Sequence, residues 1–170
     1  KTRKYAFVAD FVRLYALYNY GGIYMDTDIE ALKPLDVFLK HKAFTGCESE
    51  KHCVTGIMGA EKRHPWIKTL LDDYKDKKFI LDNGKLNILT NTQMITDITI
   101  KKYGWISRND HQILQDDLHI YPFDYFCAKD WRTGEVSITN RTHTIHHFSG
   151  QWVTSEGQKR IIRFRRIDRL

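Results

Sequence analysis

Two carboxylates one residue apart, Asp26 and Asp28, follow the short apolar run Ile23-Tyr24-Met25. Side chains in an extended strand alternate faces, so residues two apart share one side, about 7 Å apart along the chain. Carboxylates so placed repel, and the pKa of one rises unless a cation lies between them. Hard oxygen ligands suit Mg²⁺ or Mn²⁺, ions usually shared with substrate phosphates. The competing reading is an acidic turn facing solvent, and two carboxylates alone do not decide between them.

Two further groups carry chemistry. Asp10 and Arg13 are three residues apart in a helical stretch, so they occupy neighbouring positions on one face. That face also carries Phe7, Leu14 and Leu17, poor company for a solvated ion pair. Near the other end stands His143-Thr144-Ile145-His146-His147, with Trp152 five residues after His147. Zinc-finger spacing is missing around these histidines.

The elements that must position these residues follow from periodicity. Residues 5–18 place Val8, Phe11, Val12, Leu14, Tyr15 and Leu17 at helical spacing, and Gly21-Gly22 stops that helix. A short strand, 23–25, then runs into Asp26. Pro34 breaks any continuation, and a brief helical turn is expected within 35–39. Residues 44–46 and 55–59 suggest short strands or loops. Pro65 suits the first turn of an amphipathic helix over 65–74. A further helix is expected over 91–102, with Asn91 or Thr92 as its N-cap. Residues 118–126 and 136–138 suggest strands. Strands alternating with helices argue for an α/β fold.

The run Tyr18-Asn19-Tyr20-Gly21-Gly22-Ile23-Tyr24-Met25-Asp26-Thr27-Asp28 resembles the signature of glycosyltransferases with the DXD sugar-binding region, family 32. The resemblance extends through Ala9-Asp10-Phe11-Val12-Arg13-Leu14-Tyr15 and Lys33-Pro34-Leu35-Asp36, and returns at His146-His147-Phe148-Ser149-Gly150-Gln151-Trp152. That group includes initiating mannosyltransferases and capsular-polysaccharide transferases, and it is distantly similar to the glucosylating clostridial toxins. The resemblance implies the glycosyltransferase A type fold, a mainly parallel sheet flanked by helices. It also implies that the first nucleotide-binding strands precede Lys1 and are not in this chain. Residues 1–158 are then the catalytic domain and 159–170 a basic amphipathic tail.

Residue by residue, the resemblance assigns Asp26 and Asp28 to the metal and diphosphate. It gives Asp10 and Arg13 to the donor-sugar hydroxyls and Tyr24 to the sugar and diphosphate. Family register makes His147, rather than His146, the late metal ligand, and imidazole is a better ligand for Mn²⁺ than for Mg²⁺. Trp152 is placed to pack on the donor and give its indole N–H to a phosphate oxygen. Gln151 stands where the family commonly has Ser, so an amide would replace a hydroxyl there. Asn91 and Gln93 fall where the family shows an acceptor-side loop. The implied reaction is a retaining hexosyl transfer from a nucleotide sugar to a glycan or lipid-linked saccharide, with front-face displacement, as in surface-polysaccharide synthesis.

The bulk numbers bound the alternatives. A chain of 170 residues with 42% hydrophobic and 28% charged residues is neither disordered nor too small for a core. The three cysteines fit neither a disulfide framework nor a zinc motif, which favours free thiols and a cytoplasmic setting, with Cys47–Cys53 pairing left open. The net charge of +6 is concentrated in residues 159–170, where six basic residues face Asp168 alone. Interleaved Ile161, Ile162, Phe164, Ile167 and Leu170 make that stretch a candidate for peripheral contact with an anionic membrane. The rival functional reading is therefore a noncatalytic basic module for a membrane surface or nucleic acid, although no nucleic-acid motif is present.

Overall fold

The computed structural model describes residues 4–54, 56–75 and 90–149, with side chains described from residue 8 onward. Helix α1, Lys4–Tyr20, buries Leu14 and Leu17. It ends where Gly21 and Gly22 adopt φ of 71° and 99°, a region that costs glycine little. Strands β1 (Gly22–Met25) and β2 (Ile29–Ala31) follow, then a 3₁₀ turn at Asp36–Phe38, as expected beyond Pro34. Strands β3 (Ala43–Gly46) and β4 (Ile57–Ala60) are buried throughout. Helices α2 (Pro65–Lys75) and α3 (Asn91–Tyr103) precede strands β5 (Gln112–Leu114) and β6 (Leu118–Tyr121). The short helix α4 (Phe123–Phe126) and strand β7 (Thr144–His146) complete the described residues.

Five strands form one sheet in the order β1-β4-β3-β6-β5, and β2 pairs with β7 in a separate antiparallel ribbon. In the larger sheet only β3 and β6 pair parallel, and its other three pairings are antiparallel. The architecture is mixed α/β, so the expected mainly parallel sheet is corrected for the described residues. The reason lies in the connections. A parallel pair needs a crossover of a dozen or more residues. Only a loop joins β3 to β4, and β5 reaches β6 through a turn in which Asp116 and Asp117 take positive φ. Two shorter readings are also corrected. Pro122 ends β6, so 118–126 is a strand and then a helix, and Val136 forms an isolated bridge to Lys129 rather than a strand.

The core has two layers. Leu14, Leu17, Met58, Trp66, Ile67, Leu70, Ile95, Leu118 and Ile120 pack between the sheet and the three longer helices. Phe38, Phe44, Ile57, Tyr121 and Phe126 form a smaller aromatic cluster apart from it. Each such side chain contributes roughly 1.5–3 kcal/mol on burial. Trp66 is fully buried, and its indole N–H donates to Thr99 Oγ1 at 3.1 Å. Cys47 and Cys53 are free, and all three cysteines are buried. Trp152, Gln151 and the tail 159–170 lie outside the described residues.

Candidate sugar-donor and metal site

Asp26 and Asp28 follow the carboxyl end of β1, but strand alternation is not what brings them together. The Ile29 N–H donates to the Asp26 carbonyl at 3.1 Å, closing a turn. The backbone of Asp26 is tied to the neighbouring strand's approach, its N–H donating to the Gly56 carbonyl at 2.8 Å. Gly56 is required there for space. A Cβ on it would stand 2.8 Å from Asp26 Oδ2 and 3.0 Å from Ile29 Cδ1.

Helix α1 delivers Asp10 and Arg13 to the same carboxylates. The Arg13 guanidinium lies 3.1 Å from Asp10 and 3.1 Å from Asp26, and 4.7 Å above the Tyr24 ring. The Tyr24 hydroxyl donates to Asp26 Oδ1 at 2.8 Å. Burial pushes the Tyr24 hydroxyl pKa up, with Arg13 opposing and Asp26 adding to the rise. Asp10 is pushed up to about 6 by burial, against the pull of Arg13. Asn91 donates to Asp10 Oδ1 at 3.1 Å and accepts from the Tyr74 hydroxyl at 3.2 Å. The N-cap of α3 is accordingly Thr90, whose hydroxyl accepts from the Gln93 N–H at 3.2 Å, and neither Asn91 nor Thr92. Asn91 is free for Asp10 because Thr90 does the capping. Gln93 instead reaches Asp97 at 2.7 Å, on its own helix.

The third contribution arrives from the far end of the described chain. The β2–β7 ribbon sets Ile29 opposite His146. Successive strand residues leave opposite faces, so His146 and His147 part company. His147 pairs with Glu30 at 2.7 Å, while His146 Nε2 lies 3.4 Å from Asp28 Oδ1. Asp28 precedes β2 and sits in the turn, so the ladder's alternation does not hold it on the face of His147. Ligand atoms of Asp26, Asp28 and His146 lie within 4.8 Å of one another, and His147 is not in that group. Ser149 closes the site, its N–H and hydroxyl donating to Asp28 Oδ2 at 2.8 and 3.1 Å.

Charge and burial fit this trio to a cation. Burial works to raise the Asp28 pKa, but the Ser149 N–H, His146 and the Ser149 hydroxyl outweigh it and hold the carboxyl below its ordinary value. Burial lowers the pKa of His146 despite the pull of Asp28 and Asp26, which favours the neutral imidazole that ligates a metal. Two buried polar atoms at this site, Arg13 Nε and His146 Nδ1, have no hydrogen-bond partner among the described residues. Two carboxylates and one imidazole form an oxygen-rich set suited to Mn²⁺ or Mg²⁺. One further carboxyl was invisible to sequence reasoning. Glu48 follows β3, and burial, reinforced by Asp26, pushes it up to about 7. No motif marks it, whereas Ser149 stood inside the C-terminal block.

The carboxylates, the α1 ion pair and the C-terminal histidine thus meet at one place. Residues 1–45 match the family described as glycosyltransferase sugar-binding region containing DXD motif. That match contains Asp10, Arg13, Asp26 and Asp28. The similarity to known proteins extends further than that region. The chain is 39% identical over 151 residues to inositol phosphoceramide mannosyltransferase 3 of Schizosaccharomyces pombe, covering 83% of this chain and 42% of that one. It is 36% identical over 139 residues to mannosyl phosphorylinositol ceramide synthase CSH1 of Saccharomyces cerevisiae, covering 76% of this chain and 37% of that protein. A human alpha-1,4-N-acetylglucosaminyltransferase is 29% identical over 66 residues, 39% of this chain and 18% of its own. The chain therefore spans about two fifths of the length of the two yeast relatives. No solved structure shows a significant match to it.

Proposed function

We propose that this chain is the catalytic core of a metal-dependent, retaining glycosyltransferase of the A type. It would transfer a hexose, mannose being the favoured one, from a nucleotide sugar to a glycolipid acceptor. The sugar is suggested by the mannosyl transfer named for the two yeast relatives, and the lipid acceptor by the ceramide in their names. The observation that carries the reading is the convergence of Asp26, Asp28 and His146 beside the Asp10–Arg13 pair. Ser149, which fastens Asp28, is 121 residues away in sequence. A fold gathers such groups at a cost in charge repulsion and desolvation, and that cost is characteristic of functional sites.

Asp26, Asp28 and His146 would hold Mn²⁺ or Mg²⁺, which when bound offsets the negative charge a diphosphate leaving group develops. The chain's own groups do the rest. Tyr24 and Arg13 fix one oxygen of Asp26, and Ser149 fixes one of Asp28, so both carboxylates are oriented before any ligand arrives. Arg13 Nε, buried and without a partner among the described residues, is a donor left for a sugar hydroxyl. Asp10, steadied by Asn91, supplies the matching acceptor. Trp152 and Gln151 are assigned to the diphosphate in this reading, and the basic residues of 159–170 to contact with an anionic membrane.

The test is binding of a panel of UDP- and GDP-sugars to the full-length protein with and without Mn²⁺. Wild type should bind one donor in a Mn²⁺-dependent way, and Asp28→Asn should lose that binding and transfer while keeping its circular dichroism. Normal turnover by a folded Asp28→Asn protein would refute the metal role.

A further inference from the structure

A second group of metal-ligating side chains lies at the opposite end of the sheet. Strands β1, β3 and β6 run in one direction, since β1 and β3 both pair antiparallel with β4 and β6 pairs parallel with β3. The sugar-donor carboxylates follow the carboxyl end of β1. At the amino ends of β3 and β6 stand His41, Asp117 and His119, with His111 beside them. His119, on β6, is 5% exposed. Its Nε2 lies 3.0 Å from Asp117 Oδ1 and its Nδ1 lies 2.9 Å from His111 Nε2. The loop before β3 lays His41 over this pair, its ring stacked on that of His119 with centroids 3.5 Å apart and planes at 25°. Tyr121 holds His41 Nε2 at 2.8 Å, and the Lys42 N–H anchors Asp117 Oδ2 at 3.0 Å.

We propose that His41, Asp117 and His119 form a second metal site, for a borderline cation of the Zn²⁺ class. One ligand atom from each lies within 4.8 Å of the other two. Bonds of about 2.0–2.2 Å in a tetrahedral site separate ligand atoms by roughly 3.3–3.6 Å. The Asp117–His119 contact is already near that value, whereas His41, a half-buried loop residue, must turn its ring out of the stack on His119 to aim a nitrogen at the same ion. Two imidazoles and one carboxylate favour Zn²⁺ over Mg²⁺, the reverse of the oxygen-rich trio at Asp26 and Asp28. With the ion on His119 Nε2, the Nδ1–H donates to His111, the outer hydrogen bond a ligating histidine characteristically makes. The ion would clasp the 39–42 loop to β6. The competing state is an ion-free stack of hydrogen-bonded histidines. This proposal is independent of the transferase reading.

The experiment titrates the full-length protein at pH 7.5 with Zn²⁺ against a chromophoric chelator, alongside thermal melts and Co²⁺ visible spectra. The expected result is an equivalent of Zn²⁺ that persists in Asp28→Asn, raises the melting temperature and is weakened at least tenfold by His41→Ala and His119→Gln. His41→Ala alters a loop, so it reports even where His119→Gln fails to fold. Failure of wild type to compete with the chelator overturns the proposal. So does equal Zn²⁺ affinity in wild type and His41→Ala, or binding that Asp28→Asn abolishes.

Discussion

Replacing Arg13 with Gln removes the cation that Asp10 and Asp26 share, each at 3.1 Å. The consequence depends on pH, with a sign fixed by Asp10. Its folded pKa of about 6 stands above the ordinary 3.8, so the unfolded chain releases this proton first. Stability is therefore fully present below pH 3.8 and declines as pH rises to 6, by about 3 kcal/mol in wild type. Arg13 limits that decline. Two unit charges about 4 Å apart at an effective dielectric of 20 attract by about 4 kcal/mol. The side chains are 12% and 21% exposed. Solvent screening therefore trims the attraction to about 2–3 kcal/mol. Without Arg13, folded Asp10 keeps its proton for one and a half to two further pH units, by the same conversion of about 1.4 kcal/mol per unit.

Urea melts of wild type and Arg13→Gln at pH 5, 6, 7 and 8, with a chelator present, should then diverge with pH. At pH 5 folded Asp10 is largely protonated in both proteins, and the difference is the pH-independent loss of the Asp26 pair and the Tyr24 ring contact, about 1 kcal/mol. Between pH 6 and 8 the penalty should grow by about 1.5–2 kcal/mol. Asp10→Asn in both backgrounds should flatten that growth, since the titrating group is gone. A penalty that is constant from pH 5 to 8, or greatest at pH 5, would refute the placement of Arg13 against a buried, proton-retaining Asp10.

The remaining predictions concern the same site and the core. His146→Ala should weaken Mn²⁺ binding at least tenfold by electron paramagnetic resonance titration, since loss of even an outer-shell partner typically costs about that much. His147→Ala should leave Mn²⁺ affinity unchanged and cost less than about 1 kcal/mol, its partner Glu30 being exposed; the opposite order would overturn the geometry. Gly56→Ala should cost about 1–3 kcal/mol of stability by overpacking against Asp26, and lower donor binding with it; an unaffected variant counts against that close approach. Burial pushes the thiols of Cys47 and Cys53 up to about 12. Ellman's reagent at pH 8 should thus find almost no fast thiol in the native protein and three after denaturation, and rapid native labelling would contradict the packing.

The local elements were legible in the sequence because their signals are local. Helical spacing of Leu14 and Leu17, the Gly21-Gly22 stop and Pro65 at a first turn each depend on a few neighbouring residues. The pairing of Asp10 with Arg13, and their relevance to Asp26 and Asp28, were legible for a different reason. They share one helix and the strand that follows it, so a continuous block of sequence contains them. Strand direction was not legible, because pairing depends on which connection carries a crossover helix, and short apolar runs do not encode their partners. Nor was which of His146 and His147 lies beside Asp28. That was decided by the β2–β7 register and by the turn that takes Asp28 off the ladder, contacts between segments more than a hundred residues apart. Glu48 and the histidines around His119 likewise came together with their partners only when tertiary packing removed them from water and set their charges against one another. Burial and neighbouring charge depend on the whole fold, and no window of sequence contains them.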